Sequence, residues 1–135
     1  MGNRRLAREL ALQILFELEY QGKLQLELTM QRMLHQKEAS DETRDFLKTL
    51  LQTYFQNDVT VDESLEKHSE NWKLHRMGSI DRNLLRLGVT EILYFKDVPK
   101  SVTINEYLEI AKKFGTQDSS GFINGILDKI EKKIS

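Results

Sequence analysis

Apolar residues recur every three to four positions along nearly the whole chain, and this spacing restricts the fold more than any other feature. The period is that of an α-helix, in which residues three and four apart share a face. No segment of comparable length alternates apolar and polar residues as a half-buried strand does. The only proline, Pro99, falls between two periodic segments. The sequence therefore predicts an all-α protein of about seven helices.

Start and stop signals give these seven helices approximate bounds. The first runs over residues 4–20 and stops near Gly22, and a weaker one covers residues 25–36. The remaining starts are Ser40, the capping box Thr60 and Glu63, Ser79, the capping box Thr103 and Glu106, and Asp118 with Ser119. We expect one domain over residues 1–135, with a first small bundle over about 1–56 and a second over about 58–135.

The fifth helix is apolar around nearly its whole circumference, which is typical of a helix in the centre of a fold. Arg82 and Arg86 nevertheless lie on it. A buried charge without a partner is prohibitively costly. We therefore predict that both arginines form ion pairs inside the protein, with contact to a ligand as the alternative.

Charge and composition exclude several classes of protein. The 20 Lys and Arg residues are balanced by 21 Asp and Glu, so any nucleic-acid binding must use a local patch. The lack of cysteine excludes disulfides and thiolate metal sites. No phosphate-binding loop, metal-ligand spacing or catalytic combination of side chains occurs, so we predict no enzyme, no metal and no cofactor. No signal peptide or apolar segment of transmembrane length is present, and we expect a cytoplasmic protein.

The first helix carries the residues that point most clearly to a ligand. Arg4, Arg5 and Arg8 lie close together at its start, and Phe16 follows on its outer side. Guanidinium groups form paired hydrogen bonds with phosphate, and an exposed ring gives an unstacked base a platform. This combination indicates single-stranded RNA. The alternative is that Phe16 and Leu12 pack beneath a neighbouring helix and the arginines are a solvated helix end.

Two connections between helices extend this prediction. Lys73 and Arg76 precede the fifth helix with only Asp81 nearby to balance them, and they can enlarge the basic surface. The segment 115–121 leads into the last helix, whose free backbone N–H groups favour anions. Asp118 in that segment either caps the helix or accepts hydrogen bonds from the edge of a base.

Short motifs at both ends of the chain occur in an order and spacing that is specific to one family. In the first helix they are Arg4-Arg5-Leu6-Ala7-Arg8-Glu9, Ala11-Leu12-Gln13 and Leu15-Phe16. In the second half they are Trp72, Arg76, Asp81-Arg82, Leu85-Arg86-Leu87, Glu91, Val98-Pro99, Val102, Ile104-Asn105-Glu106, Glu109, Ala111-Lys112, Phe114-Gly115, Asp118-Ser119, Phe122, Asn124-Gly125 and Leu127-Asp128. With these motifs the chain resembles the NusB transcription antitermination family along essentially its whole length.

The resemblance implies an all-helical fold of two small bundles packed across each other. It also implies binding to the boxA element of nascent RNA, chiefly ribosomal RNA, together with the small ribosomal protein NusE. Other Nus factors and RNA polymerase would complete a complex that controls transcription antitermination and termination. The residues that the likeness implies for RNA are Arg4, Arg5 and Arg8 for phosphates, Phe16 for a base, Arg76 at the junction of the bundles, and Asp118 with Ser119 for base edges. NusE would dock mainly on the second bundle.

Two other functions remain open from the sequence. The basic face could dock an acidic protein surface, which would make the chain a protein-interaction module without RNA specificity. NusB-like domains also precede ribosomal RNA methyltransferase domains, so the chain could resemble part of an enzyme. The lack of a Gly-rich cofactor loop argues against methyl transfer by this sequence.

Overall fold

The protein consists of helices joined by short connections. The computed structural model describes residues 2–69 and 73–134. Its seven α-helices are α1 (Gly2–Gln21), α2 (Leu26–Gln36), α3 (Asp41–Gln56), α4 (Asp58–His68), α5 (Ser79–Tyr94), α6 (Lys100–Phe114) and α7 (Ser119–Ile134). Two 3-10 turns, Lys23–Gln25 and Leu74–Arg76, lie between helices, and the described residues include no strand. The prediction of an all-α fold with about seven helices is confirmed.

Helices α1 to α3 form one group and α4 to α7 a second, and α5 joins them. On α5, Leu84, Leu85 and Leu87 are completely buried. This helix packs against α1 and α3 from the first group and against α4, α6 and α7 from its own. The prediction that the most apolar helix is central is thereby confirmed. No helix within the two described ranges is long and apolar enough to cross a membrane.

The predicted cap at Ser40 is right, whereas Ser79 is the first residue of α5 and not its cap, since the N-cap is Gly78. Ser40 caps α3, and its hydroxyl accepts a hydrogen bond from the backbone N–H of Thr43 at 3.1 Å. The two capping boxes are wrong because both helices begin earlier than predicted. α4 starts at Asp58, which places Thr60 inside the helix. α6 starts at Lys100, directly after Pro99, whose fixed φ suits a helix entry.

The two arginines of the central helix are paired as the sequence predicts. Arg82 pairs with Glu19 of α1, and Arg86 pairs with Asp62 of α4 at 3.0 Å. Each pair therefore ties α5 to another helix. Trp72, which the sequence places at the end of the fourth apolar stripe, lies outside the described residues.

Candidate nucleic-acid interface

Phe16 lies at the mouth of an apolar cleft. It is 38% exposed, whereas Leu12, one helical turn earlier, is fully buried. Ile80 at the start of α5 and Phe114 at the end of α6 line the cleft together with Phe16. The alternative in which both α1 residues pack beneath other helices is therefore right for Leu12 only. The ring of Phe16 remains accessible to a planar ligand.

The connection between α6 and α7 is held from inside by Ser119. This residue is buried, and its hydroxyl accepts a hydrogen bond from the backbone N–H of Thr116 at 2.9 Å. Gly115 approaches the same hydroxyl so closely that a Cβ on Gly115 would overlap it. The structure thus corrects the expectation that Ser119 meets a base, because its hydroxyl is used to close the connection. Asp118, in contrast, is exposed.

Arg76 and Asp118 line the same pocket, although they are far apart in sequence. Leu74 and Met77 are buried and anchor the turn that ends in Arg76, while the Arg76 side chain is exposed. Phe122 of α7 contributes to the pocket. Within residues 2–69 and 73–134, no ion pair engages either charged side chain. The guanidinium of Arg76 and the carboxylate of Asp118 therefore lie in one pocket, and both can form hydrogen bonds with a ligand.

The Phe16 cleft and the Arg76 pocket adjoin each other. Both are lined by Gly78 and Asp81, which lie at the start of α5. We call the combined surface the groove, and its lining residues include Phe16, Arg76, Gly78, Ile80, Asp81, Phe114, Thr116, Asp118 and Phe122. It runs along the junction between the two groups of helices. An aromatic ring stands towards one end and hydrogen-bonding charges towards the other.

Arg4 and Arg5 lie at the opposite end of α1 from Phe16. At 1.5 Å per residue, roughly 16 Å of helix axis separates Arg5 from Phe16. The Nε and Nη2 atoms of Arg5 donate to the two carboxylate oxygens of Glu106 at 2.9 and 2.7 Å. These hydrogen bonds lower the pKa of Glu106 and raise that of Arg5. Arg4 is more exposed, and its guanidinium lies 4.7 Å from the centre of the Phe46 ring.

Arg8 is a buried structural residue and not a surface cation. It is 3% exposed, and its Nε and Nη2 atoms each donate to Glu91 of α5 at 2.8 Å. The Tyr107 hydroxyl of α6 donates to the same carboxylate. Burial alone would lower the pKa of Arg8, but the hydrogen bonds and charge of Glu91 outweigh it and the pKa is raised. The expectation that Arg8 holds a phosphate is therefore corrected, since its donors are used inside the protein.

A series of ion pairs between α1 and α6 extends from Arg5 towards the groove. After the pair of Arg5 with Glu106 comes Lys113, whose Nζ lies 3.1 Å from the carboxylate of Glu9. Lys113 also lies 5.3 Å from the centre of the Phe114 ring. Its side chain is largely exposed, so it adds a cation beside the Phe16 end of the groove.

Comparison with known proteins identifies the family. The family model described as "NusB family" matches residues 5–132. The chain belongs to the NusB family. Among its relatives, the transcription antitermination protein NusB of Desulfitobacterium hafniense is 46% identical over 98% of this chain and 90% of its own length. The protein of the same name from Geobacter sulfurreducens is 41% identical over 96% of this chain and 94% of its own.

Solved NusB structures share the fold. T. maritima NusB superposes with a TM-score of 0.89 at 35% identity, covering 96% of this chain and 91% of that one. A complex of the antitermination factors NusB and NusE with double-stranded RNA contains a chain with a TM-score of 0.87 at 27% identity, with 98% of both chains covered. The family resemblance predicted from the motifs is confirmed.

Several residues in or beside the groove of this NusB-family chain were not predicted from the sequence. Ile80 and Phe114 belong to the apolar pattern of their helices, so nothing in the sequence separates them from core residues. Lys113 follows Lys112 at the end of α6, where cations are common because of the helix dipole. In the part of the chain that the structure describes, no three His, Asp or Glu side chains converge as metal ligands do.

Proposed function

We propose that this NusB-family protein binds boxA-type RNA in the groove and acts with NusE in transcription antitermination and termination on ribosomal RNA transcripts. One observation carries the proposal: Phe16, Arg76 and Asp118 come from three separate segments and lie along one surface. The names of the relatives support antitermination, and the similar complex of NusB and NusE with double-stranded RNA supports NusE and RNA as partners. An accessible ring favours a strand whose bases are unstacked, so the RNA in the groove is single-stranded.

Each exposed residue has a distinct part in this proposal. Phe16 stacks on a base, Arg76 binds a phosphate, and Asp118 accepts hydrogen bonds from exocyclic amines. Arg4 can reach a second phosphate because, among residues 2–69 and 73–134, its one ion pair is with the exposed Asp97, 3.8 Å away. Arg5 can do so only by exchanging its hydrogen bonds to Glu106.

The protein needs partners because few of its cations are available to bind phosphate. Because Arg5 and Arg8 are held by carboxylates of the chain, few phosphate contacts remain, and the protein alone binds RNA modestly. NusE, docked mainly on the second bundle, adds contacts and raises the affinity by effective concentration. Other Nus factors and RNA polymerase complete the complex. The protein is an adaptor without catalytic activity and works in the cytoplasm, where transcripts form.

A titration of labelled RNA tests this proposal. We expect a boxA-type RNA to bind more tightly than a scrambled RNA, with a larger difference when NusE is present. Phe16→Ala should weaken binding by roughly 5- to 150-fold, because one stacked base is lost. Phe55→Ala is the matched control, since Phe55 is a half-buried ring of α3 that does not line the groove.

The contribution of Arg76 can be measured through salt. Arg76→Ala should lower the slope of log affinity against log salt by about 0.7, the value for one phosphate contact on a single strand. Arg44→Ala serves as its control, because Arg44 is an exposed arginine of α3 that pairs with the neighbouring Asp41 and Asp45. Equal affinity of wild type for both RNAs, with and without NusE, would contradict the proposal.

A second candidate is a protein-interaction module without RNA specificity. The neutralisation of Arg5 and Arg8 by Glu106 and Glu91 favours it, because it removes charge that an RNA-binding face would use. In that case Phe16→Ala leaves RNA binding unchanged and weakens binding to NusE. The same pair of titrations therefore separates the two functions.

A further inference from the structure

An exposed ring extends the aromatic end of the groove. Tyr20 is 78% exposed and lies one helical turn beyond Phe16. The two rings meet edge to face, with centroids 5.6 Å apart and an interplanar angle of 65°. A tyrosine with so much apolar surface in water contributes little to the core. Its contact with Phe16 places a second accessible ring next to the proposed path of the RNA.

Ion pairs hold both flanks of α1 around these rings. On one flank, Glu19 pairs with Arg82 at the start of α5. On the other, Glu17 pairs with Arg32 of α2. Because a helix turns about 100° per residue, the two rings project into the arc between these flanks. The arc is therefore fixed at both edges, and the charges beside it are already neutralised.

We infer that Tyr20 is a second stacking platform, which holds the nucleotide next to the one that stacks on Phe16. This inference rests on the proposed RNA binding. Residues four apart on a helix are about 6 Å apart along its axis, more than the roughly 3.4 Å between stacked bases. The two nucleotides are therefore splayed, with one base on each ring, as in other single-strand complexes. Because the charges beside Tyr20 are paired, stacking and not phosphate neutralisation provides the affinity of this one contact.

Substitutions at Tyr20 test this with labelled boxA-type RNA and the full-length chain. Tyr20→Ala should weaken binding by roughly 5- to 150-fold and leave the salt slope at the wild-type value. Tyr20→Phe keeps the ring and should bind as wild type does. Tyr20→Leu keeps apolar surface without a ring and should lose most of the affinity. Leu24→Ala is the control, because Leu24 is 97% exposed nearby but not aromatic.

RNA length provides an independent test of the same contact. Removing nucleotides one at a time from each end of the RNA should reach a length at which wild type binds as weakly as Tyr20→Ala binds the full RNA. On that shortened RNA, Tyr20→Ala and wild type should bind with equal affinity, because the nucleotide that stacks on Tyr20 is already absent.

The outcomes separate this inference from the proposed function. If Phe16→Ala weakens binding and Tyr20→Ala does not, the second platform is wrong and the groove still binds RNA. If wild type does not discriminate boxA-type from scrambled RNA, the proposed function itself is wrong. If Tyr20→Leu binds RNA as wild type does, an aromatic ring is not needed at this position and the inference is overturned. If Tyr20→Ala weakens only the complex with NusE, the ring is a protein contact and the inference is likewise overturned.

Discussion

The buried pair of Arg8 and Glu91 gives the sharpest prediction about stability. The two side chains join α1 to α5, and Tyr107 of α6 donates to the same carboxylate. Arg8→Met removes the cation and leaves the Glu91 carboxylate buried with only the Tyr107 hydroxyl as partner. Breaking one side of a buried pair costs about 3–5 kcal/mol of unfolding free energy. In a chain of this size, that loss lowers Tm by roughly 10 to 20 °C.

The companion variant is Arg8→Met combined with Glu91→Gln. It removes both charges, and the amide carbonyl that replaces the carboxylate can still accept the Tyr107 hydrogen bond. Replacing a whole buried pair costs far less than breaking it. We therefore expect urea unfolding of the double variant to return to within about 1–2 kcal/mol of wild type.

Two results would refute this reasoning about Arg8. The first is a double variant as unstable as the sum of its single variants, which would mean that the charges are not coupled. The second concerns RNA. A folded double variant should show the salt slope of wild type, because Arg8 makes no phosphate contact; a slope reduced by about 0.7 would show that it does.

Two further predictions concern the Arg5 contact and the connection that shapes the groove. The Arg5 hydrogen bonds lower the pKa of Glu106 from its ordinary value of 4.5. The stability that they give the folded protein is therefore present above pH 4.5 and is lost as the pH falls through the lower pKa of the folded state. Glu106→Gln should therefore flatten the fall of unfolding free energy below about pH 5, and an unchanged profile would contradict this. Gly115→Ala should cost about 1–3 kcal/mol in urea unfolding, because its Cβ would overlap Ser119 and lie 2.9 Å from the Ala111 carbonyl oxygen. Gly125→Ala, whose Cβ would meet no atom within 4 Å beyond its chain neighbours and its own helix backbone, should stabilise α7 by about 0.5–1 kcal/mol. The same sign for both glycines would contradict the packing described.

The number of helices and their approximate bounds could be predicted because periodicity and caps are local properties. Ser40 begins α3 as predicted, since its cap depends on a residue three positions away. The capping box at Thr103 and Glu106 was wrong for a non-local reason. Pro99 starts the helix earlier, and Glu106 is used by Arg5 from the other end of the sequence.

The role of the arginines on α1 could not be predicted because it depends on how many helices surround α1. Periodicity shows which residues share a face, but not whether that face is covered. α1 packs against α2, α3, α5 and α6, so Leu12 and Arg8 are buried as well. Arg8, Leu12 and Leu15 do follow one another at helical spacing, which was a signal of a second buried stripe.

The proximity of Arg76 to Asp118 likewise depends on tertiary packing. Each lies in a connection, and the sequence indicates only that both connections precede helices. They come together because α5 and α7 start at the same end of their group. The sequence predicted the residues of this pocket individually, and the fold supplies their common location.

The most direct test of the central claim is photocrosslinking of the full chain to a boxA-type RNA that carries 4-thiouridine at each position in turn, followed by mass spectrometry. If the groove holds the strand, crosslinks should map to the helix segment around Phe16 and to the connections that contain Arg76 and Asp118, in an order that follows the RNA. Crosslinks confined to the start of α1 and to α3, with none along the groove, would contradict the account.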